Sequence, residues 1–176
     1  MMEEKNENKY IWYACYGSNL YRERFLWYIQ GGGLKGNPGC KDRSLPVADC
    51  PYLIRHALYF AGESRTWGHG GVAFISKEHD PGAVTLSRAY LVTEEQFKDI
   101  QGQEGRWYGC TLELGMLEGF PVRTFTRDPL EFRDMETNNP SDAYLEVIRK
   151  GLRETYPGMT EEQITGYLDK AAAGRG

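Results

Sequence analysis

The segment Tyr16-Gly17-Ser18-Asn19-Leu20 combines residue types that can bind an anionic or carbonyl oxygen. It follows the apolar run 10–15 and precedes a stretch that is predicted to be helical. A strand that runs into a Gly-Ser-Asn turn leaves several backbone N–H groups free to point at one oxygen atom. Gly, Ser and Asn are also the ordinary residues of tight turns, so the segment becomes a candidate site only with a chemical partner elsewhere in the chain.

The candidate partner is Glu104, which lies far downstream in Gln103-Glu104-Gly105-Arg106-Trp107-Tyr108-Gly109. Aromatic neighbours can hold a carboxyl group in a poorly hydrated site, which raises its pKa and suits it to transfer protons near neutral pH. The alternative is a solvated surface carboxylate, which is the usual state of an acidic residue. Glu104 is therefore a candidate catalytic base and acid.

The pattern of apolar and turn residues predicts a chain that mixes strands and helices. Thr93-Glu94-Glu95-Gln96 has the form of a capping box, so a short helix is expected to begin there and to end near Gly102, with Glu104 at the helix exit. The other predicted strands are 10–16, one or two within 49–62, 72–76, 88–92, 108–116 and 120–126, and the other predicted helices are 20–29, 142–156 and 163–173. The last two helices begin after Ser141 and Thr160 and are expected to pack on the sheet, giving an α+β protein.

Composition narrows the class of protein. The chain has 176 residues and a net charge of −4, which indicates one domain, over 10–176, and argues against a nucleic-acid-binding surface. No apolar run is long enough to cross a bilayer, and residues 1–9 are predicted to be a disordered tail without a signal core, so we expect a cytoplasmic protein with no membrane partner. The four cysteines lack Cys-x-x-Cys spacing, and we expect reduced thiols and no metal site; packing is the favoured role of Cys15 over that of a nucleophile.

Four segments, taken in order, resemble the γ-glutamylcyclotransferase-like family. They are similar to the strand-end signature, the Trp-His-Gly-Gly segment of animal members, the segment with the catalytic glutamate, and the C-terminal helix of many bacterial members. In this chain they read Tyr16-Gly17-Ser18-Asn19-Leu20, Thr66-Trp67-Gly68-His69-Gly70-Gly71-Val72-Ala73, Gln103-Glu104-Gly105, and Pro140-Ser141-Asp142-Ala143-Tyr144-Leu145 with Gly151 beyond. The likeness covers roughly residues 10–170.

The resemblance implies a fold and an activity. The fold is a small mixed β-barrel, closed or nearly closed, that is flanked by helices and has a pocket at one end. The activity is conversion of a small-molecule γ-glutamyl amide to 5-oxoproline and a free amine, without cofactor or metal, by attack of the substrate's own α-amine. Glu104 would carry the proton. The N–H groups around Gly17 to Leu20, with the side chains of Ser18 and Asn19, would bind the substrate's carboxylate or the developing oxyanion. Gly17 also has a simpler expected role, which is to permit an unusual φ in the turn.

The chain departs from the animal pattern at one position. Where the animal enzymes have a tyrosine seven residues after the glutamate, this chain has Thr111. Tyr108 is the nearest phenol and is the candidate substrate-binding tyrosine if it turns inward. Tyr16 and Tyr13 are alternatives, although aromatic residues on strands usually belong to the core.

The roles of several other side chains stay open at this stage. His69 is either an acid–base group or a loop residue bonded to backbone. Arg22, Arg24 and Arg106 are either partners of a substrate carboxylate or solvated charges. The amine released is not specified by the sequence, and residues 20–40 and 128–139 are expected to set specificity.

Two other functions compete with cyclisation. One is a metabolite-binding module of the same fold without turnover, which a solvent-facing Glu104 would favour. The other is a transferase in which a separate amine attacks, which a wide pocket would favour.

Overall fold

A computed structural model describes residues 9–33 and 35–174. Seven strands and four helices are found in these ranges, together with three one-turn 3₁₀ helices. The elements are β1 (Tyr10–Cys15), α1 (Arg22–Gln30), β2 (Asp49–Ile54), β3 (Leu58–Ser64), β4 (Gly70–Ile75), β5 (Thr85–Thr93), α2 (Glu94–Glu104), β6 (Cys110–Leu117), β7 (Phe120–Thr126), α3 (Asp142–Thr155) and α4 (Glu161–Ala173). The predicted α+β class is confirmed. The predicted tail, residues 1–9, lies outside the described residues except for Lys9, and the single domain over 10–176 stays a prediction.

The main sheet has five strands in the order β2-β5-β1-β7-β6. Its central strand, β1, pairs antiparallel with β5, as in Tyr13 with Tyr90, and parallel with β7, as in Trp12 with Val122. The sheet is therefore mixed, as predicted. Strands β3 and β4 form a separate two-stranded sheet, so the strands make two sheets rather than one closed ring.

Side chains replace the missing backbone pairing between β4 and β7. The N–H of Ile75 donates to Thr126 Oγ1 at 3.1 Å, and the same hydroxyl donates back to the carbonyl of Ile75 at 2.9 Å. Two residues earlier on β4, the N–H and C=O of Ala73 bond to the hydroxyls of Tyr144 and Tyr108. Because strand-edge groups need partners, these side chains satisfy β4 while keeping the two sheets apart. The space that they leave becomes the candidate site.

Both faces of β1 are buried, which explains its continuous apolar run. Trp12, Ala14 and Tyr16 face a core formed with the β3–β4 sheet, α3 and α4. The alternate residues, among them Tyr13 and Cys15, face a second core formed with α1 and α2. The core thus places the end of β1 next to the end of α2.

The helix starts follow the predicted capping residues. Thr93 and Thr160 each form a full capping box, and the side chain of Ser141 accepts a bond from the N–H of Tyr144. Cys15 is a buried thiol that donates to the carbonyl of Arg88, and burial raises its pKa, which suits the packing role predicted for it. Among the described residues, no helix is long and apolar enough to span a bilayer. The cytoplasmic location stays a prediction.

Candidate active site

The strand-end turn is held in place from β5. After β1 the chain forms a 3₁₀ turn, Ser18–Leu20, before it enters α1. Tyr90 Oη donates to the carbonyl of Asn19 at 3.0 Å, and Arg88 Nη1 donates to the carbonyl of Leu20 at 3.1 Å. With its carbonyls bonded on the core side, the turn presents Gly17, Ser18 and Asn19 to a cavity, whereas the Leu20 side chain is fully buried in the core.

Close packing by α3 explains two glycines at this turn. A Cβ on Gly17 would lie 2.9 Å from the hydroxyl of Tyr144, and one on Gly151 would clash with the backbone of Leu20. The φ angle of Gly17 is −114°, so the predicted need for an unusual φ is wrong: the requirement is for space. These glycines let α3 bring a tyrosine hydroxyl against the turn.

Glu104 is the last residue of α2 and its carboxyl group faces the turn. Asn19 Nδ2 donates to Glu104 Oε1 at 3.0 Å, which joins two positions 85 residues apart in the chain. Asn19 is only 3% exposed, so this contact forms inside the protein. The structure therefore brings the two sequence-predicted parts of the site into direct contact.

The surroundings of Glu104 raise the pKa of its carboxyl group from 4.5 to about 7. Burial is the main cause, since a poorly hydrated site disfavours the charged form. The charges of Arg24 and Lys35 and the hydrogen bonds from Asn19 and Tyr28 favour the carboxylate and offset part of this effect. Glu104 can therefore both accept and return a proton near neutral pH.

Glu104 lies where a small inner cavity meets a wider outer pocket. The inner cavity is about 30 Å³, room for about one water molecule, and the outer pocket is about 180 Å³. The inner cavity is lined by Tyr13, Cys15, Tyr16, Gly17, Ser18, Asn19, Ala73, Glu104, Tyr108, Phe125 and Tyr144. The outer pocket is lined by Ser18, Arg24, Tyr28, Lys35, Ser64, Trp67, Val72, Glu104, Trp107, Tyr108 and Tyr144. A larger open depression of about 630 Å³, against residues 130–138, does not include Glu104.

Tyr108 lines both spaces. It lies in a 3₁₀ turn, Arg106–Tyr108, rather than on the strand predicted to begin there, and its hydroxyl donates to the carbonyl of Ala73 at 2.9 Å. Tyr16 and Tyr13 line only the inner cavity, where Tyr16 donates to the carbonyl of Phe125. Thr111 accepts a bond from the Gln101 side chain and lines neither space. The phenols of this site therefore come from positions other than that of Thr111.

Tyr144 is the site residue that sequence reasoning missed. Its hydroxyl accepts the N–H of Ala73 at 2.9 Å and lines both spaces beside Glu104. The spacing of Tyr144, Ile148 and Leu152 predicts an apolar helix face, which indicates burial but not a cavity. Tyr28 lies within the predicted helix 20–29 and was not singled out either, and the structure places it in the outer pocket.

His69 and two of the three candidate arginines lie away from the cavity. His69 Nδ1 contacts Glu63 Oε1 at 2.9 Å, and both side chains are about two-thirds exposed, at 65% and 66%. The side chain of Arg106 is 83% exposed, and Arg22 lines neither space. Only Arg24 reaches the outer pocket.

The described residues form no metal-binding cluster. Within residues 9–33 and 35–174, no cluster of three or more His, Cys, Asp or Glu residues could hold a metal ion. The expectation that the reaction needs neither metal nor cofactor stays a prediction.

Comparison with known proteins gives a fold and one distant sequence relative. The chain has the fold of a solved gamma-glutamyl cyclotransferase, with a TM-score of 0.64 and 22% identity over 90% of this chain and 86% of that chain. A solved, uncharacterized human protein gives a TM-score of 0.62 and 24% identity over the same shares. Histone deacetylase 5 of Arabidopsis thaliana is 29% identical over 204 residues, which cover 93% of this chain and 31% of that protein. The chain thus spans about a third of this curated relative, and no family model matches.

Proposed function

We propose that the protein is a γ-glutamyl cyclotransferase that converts a γ-glutamyl amino acid or γ-glutamyl amine to 5-oxoproline and a free amine. The observation that carries this proposal is the 3.0 Å contact between Asn19 of the strand-end turn and the Glu104 carboxyl group. The shared fold with a gamma-glutamyl cyclotransferase supports it. A carboxyl group with a pKa of about 7, beside a pocket open to a small molecule, is suited to the proton transfers that the reaction needs.

The first step is proton removal and ring closure. The α-ammonium of the substrate has a pKa of roughly 8 and is mostly protonated at neutral pH. The Glu104 carboxylate takes one proton, and the freed α-nitrogen attacks the γ-carbonyl carbon to form a five-membered ring with a tetrahedral carbon. Because nucleophile and electrophile belong to one molecule, the protein mainly has to hold the folded substrate conformer.

The second step returns the proton to the leaving amine. Glu104 protonates the former amide nitrogen, the carbon–nitrogen bond breaks, and the ring carbonyl re-forms as 5-oxoproline. The ring nitrogen passes its extra proton to the released amine, so the products are the neutral lactam and an ammonium ion. Glu104 ends the cycle as a carboxylate, so one side chain serves as base and then as acid, and no water is consumed.

The turn and the two tyrosines would position the substrate. The first N–H groups of a one-turn helix have no partner within it, so those of Ser18 and Asn19 are suited to stabilise the oxyanion. Tyr144 accepts a bond from Ala73, which leaves its own proton for a substrate oxygen. Tyr108 donates to Ala73, which leaves its oxygen to accept from the α-ammonium. Burial raises the pKa of both phenols, so they stay protonated at neutral pH.

The two competing functions are less well supported than cyclisation. A binding module without turnover would be favoured by a carboxyl group in solvent, and here that group contacts Asn19 inside the protein. A transferase needs a second amine in the pocket, whereas cyclisation needs only one substrate. The products separate the two, since transfer yields a new γ-glutamyl amide instead of 5-oxoproline.

The test is mass-spectrometric detection of 5-oxoproline after incubation with a panel of γ-glutamyl amino acids and γ-glutamyl amines. The Glu104→Gln variant should lose about 10²- to 10⁴-fold in rate, the usual contribution of a positioned proton carrier. Glu95→Gln makes the same substitution at the exposed other end of α2 and is the matched control, expected to keep wild-type rates. The proposal is wrong if wild type forms no 5-oxoproline from any panel member, or if Glu104→Gln retains full activity.

A further inference from the structure

Arg24 on α1 has an unusual setting at the outer pocket. Its guanidinium carbon lies 4.6 Å from the ring centre of Trp67 and 5.8 Å from that of Trp27. Indole faces attract cations and favour a fixed orientation of the planar guanidinium group. The side chain is therefore held at the pocket wall instead of extending into solvent.

Arg24 also lacks the partners that such a group normally has. Its Nε atom is buried and has no hydrogen-bond partner, and within the described parts of the chain Arg24 forms none of the ion pairs. A buried donor without a partner is uncommon in folded proteins and calls for an explanation. A guanidinium group binds carboxylates through two parallel N–H···O bonds, so a ligand carboxylate would supply the missing acceptor.

The charges around the outer pocket point to the same ligand. The charged residues among those that line it are Arg24, Lys35 and Glu104. In the proposed reaction the negative charge of Glu104 is matched by the α-ammonium of the glutamyl half, which also carries one α-carboxylate on the same carbon. The pocket's two cations exceed that single carboxylate, so they attract a second anion and repel a second positive charge on the substrate.

We propose that Arg24, assisted by Lys35, binds a carboxylate on the amine half of the substrate. The inference rests on the proposed function and deepens it: the substrates are γ-glutamyl amino acids or peptides in preference to γ-glutamyl polyamines. The glutamyl half has to place both its α-amine and its γ-carbonyl at Glu104, next to the turn. Arg24 and Lys35 line only the outer pocket, where the amine half would extend.

The test uses three substrates that differ only in the amine half. On the amine half, γ-glutamylalanine carries a carboxylate, γ-glutamylethylamine carries no charge, and γ-glutamyl-1,4-diaminobutane carries a cation. All three keep the α-carboxylate of the glutamyl half. Wild type should show a kcat/KM for γ-glutamylalanine about 10- to 100-fold above that for γ-glutamylethylamine, the usual effect of a hydrogen bond to a charged group. The cationic substrate should be the poorest of the three.

The variant Arg24→Gln should lower this ratio to near one, because it removes a contact that γ-glutamylalanine makes and γ-glutamylethylamine does not. Arg24 also acts on the charge of Glu104, but that effect is common to all substrates and cancels in the ratio. Arg65→Gln is the matched control, because Arg65 is exposed near Trp67 and does not line the pocket. Equal losses on γ-glutamylalanine and γ-glutamylethylamine, or a wild-type ratio of one, would overturn the inference.

Binding measurements separate this inference from the catalytic proposal. Isothermal titration of the Glu104→Gln variant with the same three compounds reports recognition without turnover. If wild type makes no 5-oxoproline but γ-glutamylalanine still binds at least 10-fold more tightly than γ-glutamylethylamine, the catalytic proposal fails and the Arg24 subsite stands. Equal affinity for the three compounds would contradict the proposed Arg24 subsite, whether or not the protein forms 5-oxoproline.

Discussion

The two ends of α2 place the same residue type in opposite surroundings. At the amino end, Glu94 and Glu95 follow the Thr93 capping box, where the helix dipole favours negative charge, and Glu95 is exposed. At the carboxyl end, Glu104 turns into a cavity at the negative end of the same dipole, just before Gly105, whose φ is 86°. A carboxyl group helps the helix to fold at one end and opposes it at the other.

This difference makes Glu104 the acid of α2 that is suited to the proposed reaction. Burial of the Glu104 carboxylate costs stability and raises its pKa, and only part of this cost is offset by the bond from Asn19. A group kept in such surroundings is a candidate for a chemical role. The comparison can be tested by changing each end in turn.

The largest expected effect is on the pH dependence of protein stability when Glu104, at the carboxyl end of α2, is replaced. The Glu104 carboxyl group has a pKa near the ordinary 4.5 in the unfolded chain and about 7 in the folded protein. Between these pH values the folded state binds more protons than the unfolded state, so the free energy of unfolding falls as pH rises from 4.5 to 7. Wild type should therefore be about 3 kcal/mol less stable than Glu104→Gln above about pH 8, at about 1.36 kcal/mol for each pKa unit. The difference should shrink to near zero below about pH 4.

Urea unfolding of both proteins across this range measures the effect. Glu95→Gln makes the same change in net charge and serves as the reference. A difference between wild type and Glu104→Gln that does not vary with pH would show that the two carboxyl groups of α2 do not differ in the way described.

A smaller effect is expected from the turn that faces Glu104. Gly17→Ala places a methyl group 2.9 Å from the Tyr144 hydroxyl and should cost about 1–3 kcal/mol of stability through overpacking. Activity should fall as well, because the turn or the tyrosine has to shift. Adding Tyr144→Phe removes the clashing oxygen atom. The double variant should therefore lose less stability than the two single variants lose when their losses are added.

Additive losses in that double-mutant cycle, measured by urea unfolding and 5-oxoproline formation, would argue against the close contact. Capping-box geometry at the other end of α2 should be unaffected, since Thr93 lies outside both cavities.

The smallest effect is expected at the amino end of α2. Thr93→Ala removes the hydroxyl that accepts the N–H of Gln96 at 3.0 Å and should cost about 1 kcal/mol of stability. The kcat/KM should stay at the wild-type value, because the substitution lies a full helix length from Glu104. A matching loss of activity in steady-state kinetics would mean that the two ends are coupled.

Local features of the site were predictable from sequence. The capping box at Thr93 and the Gly-Ser-Asn turn each involve residues close together in the chain, so type and spacing suffice to predict them. The helix ends two residues later than predicted, at Glu104 instead of near Gly102. The contact between Asn19 and Glu104 was expected only through a family resemblance, since 85 residues separate them.

Features that depend on how elements pack were not predictable. A helical apolar face predicts that Tyr144 is buried, but whether its hydroxyl meets core or cavity depends on where α3 crosses the turn. The predicted barrel left open whether the strands close into a ring. That depends on whether β4 pairs with β7 through backbone or, as found, through Thr126, which apolar periodicity does not encode.

The most direct test of the proton-carrier role of Glu104 is a ¹³C NMR titration of its side-chain carboxyl carbon. Comparison of spectra from wild type and Glu104→Gln assigns the signal. The structure predicts a titration midpoint near 7, which would establish a group that exchanges protons at neutral pH. A midpoint near the ordinary 4.5 would make Glu104 a simple carboxylate at neutral pH and would contradict the proposed mechanism.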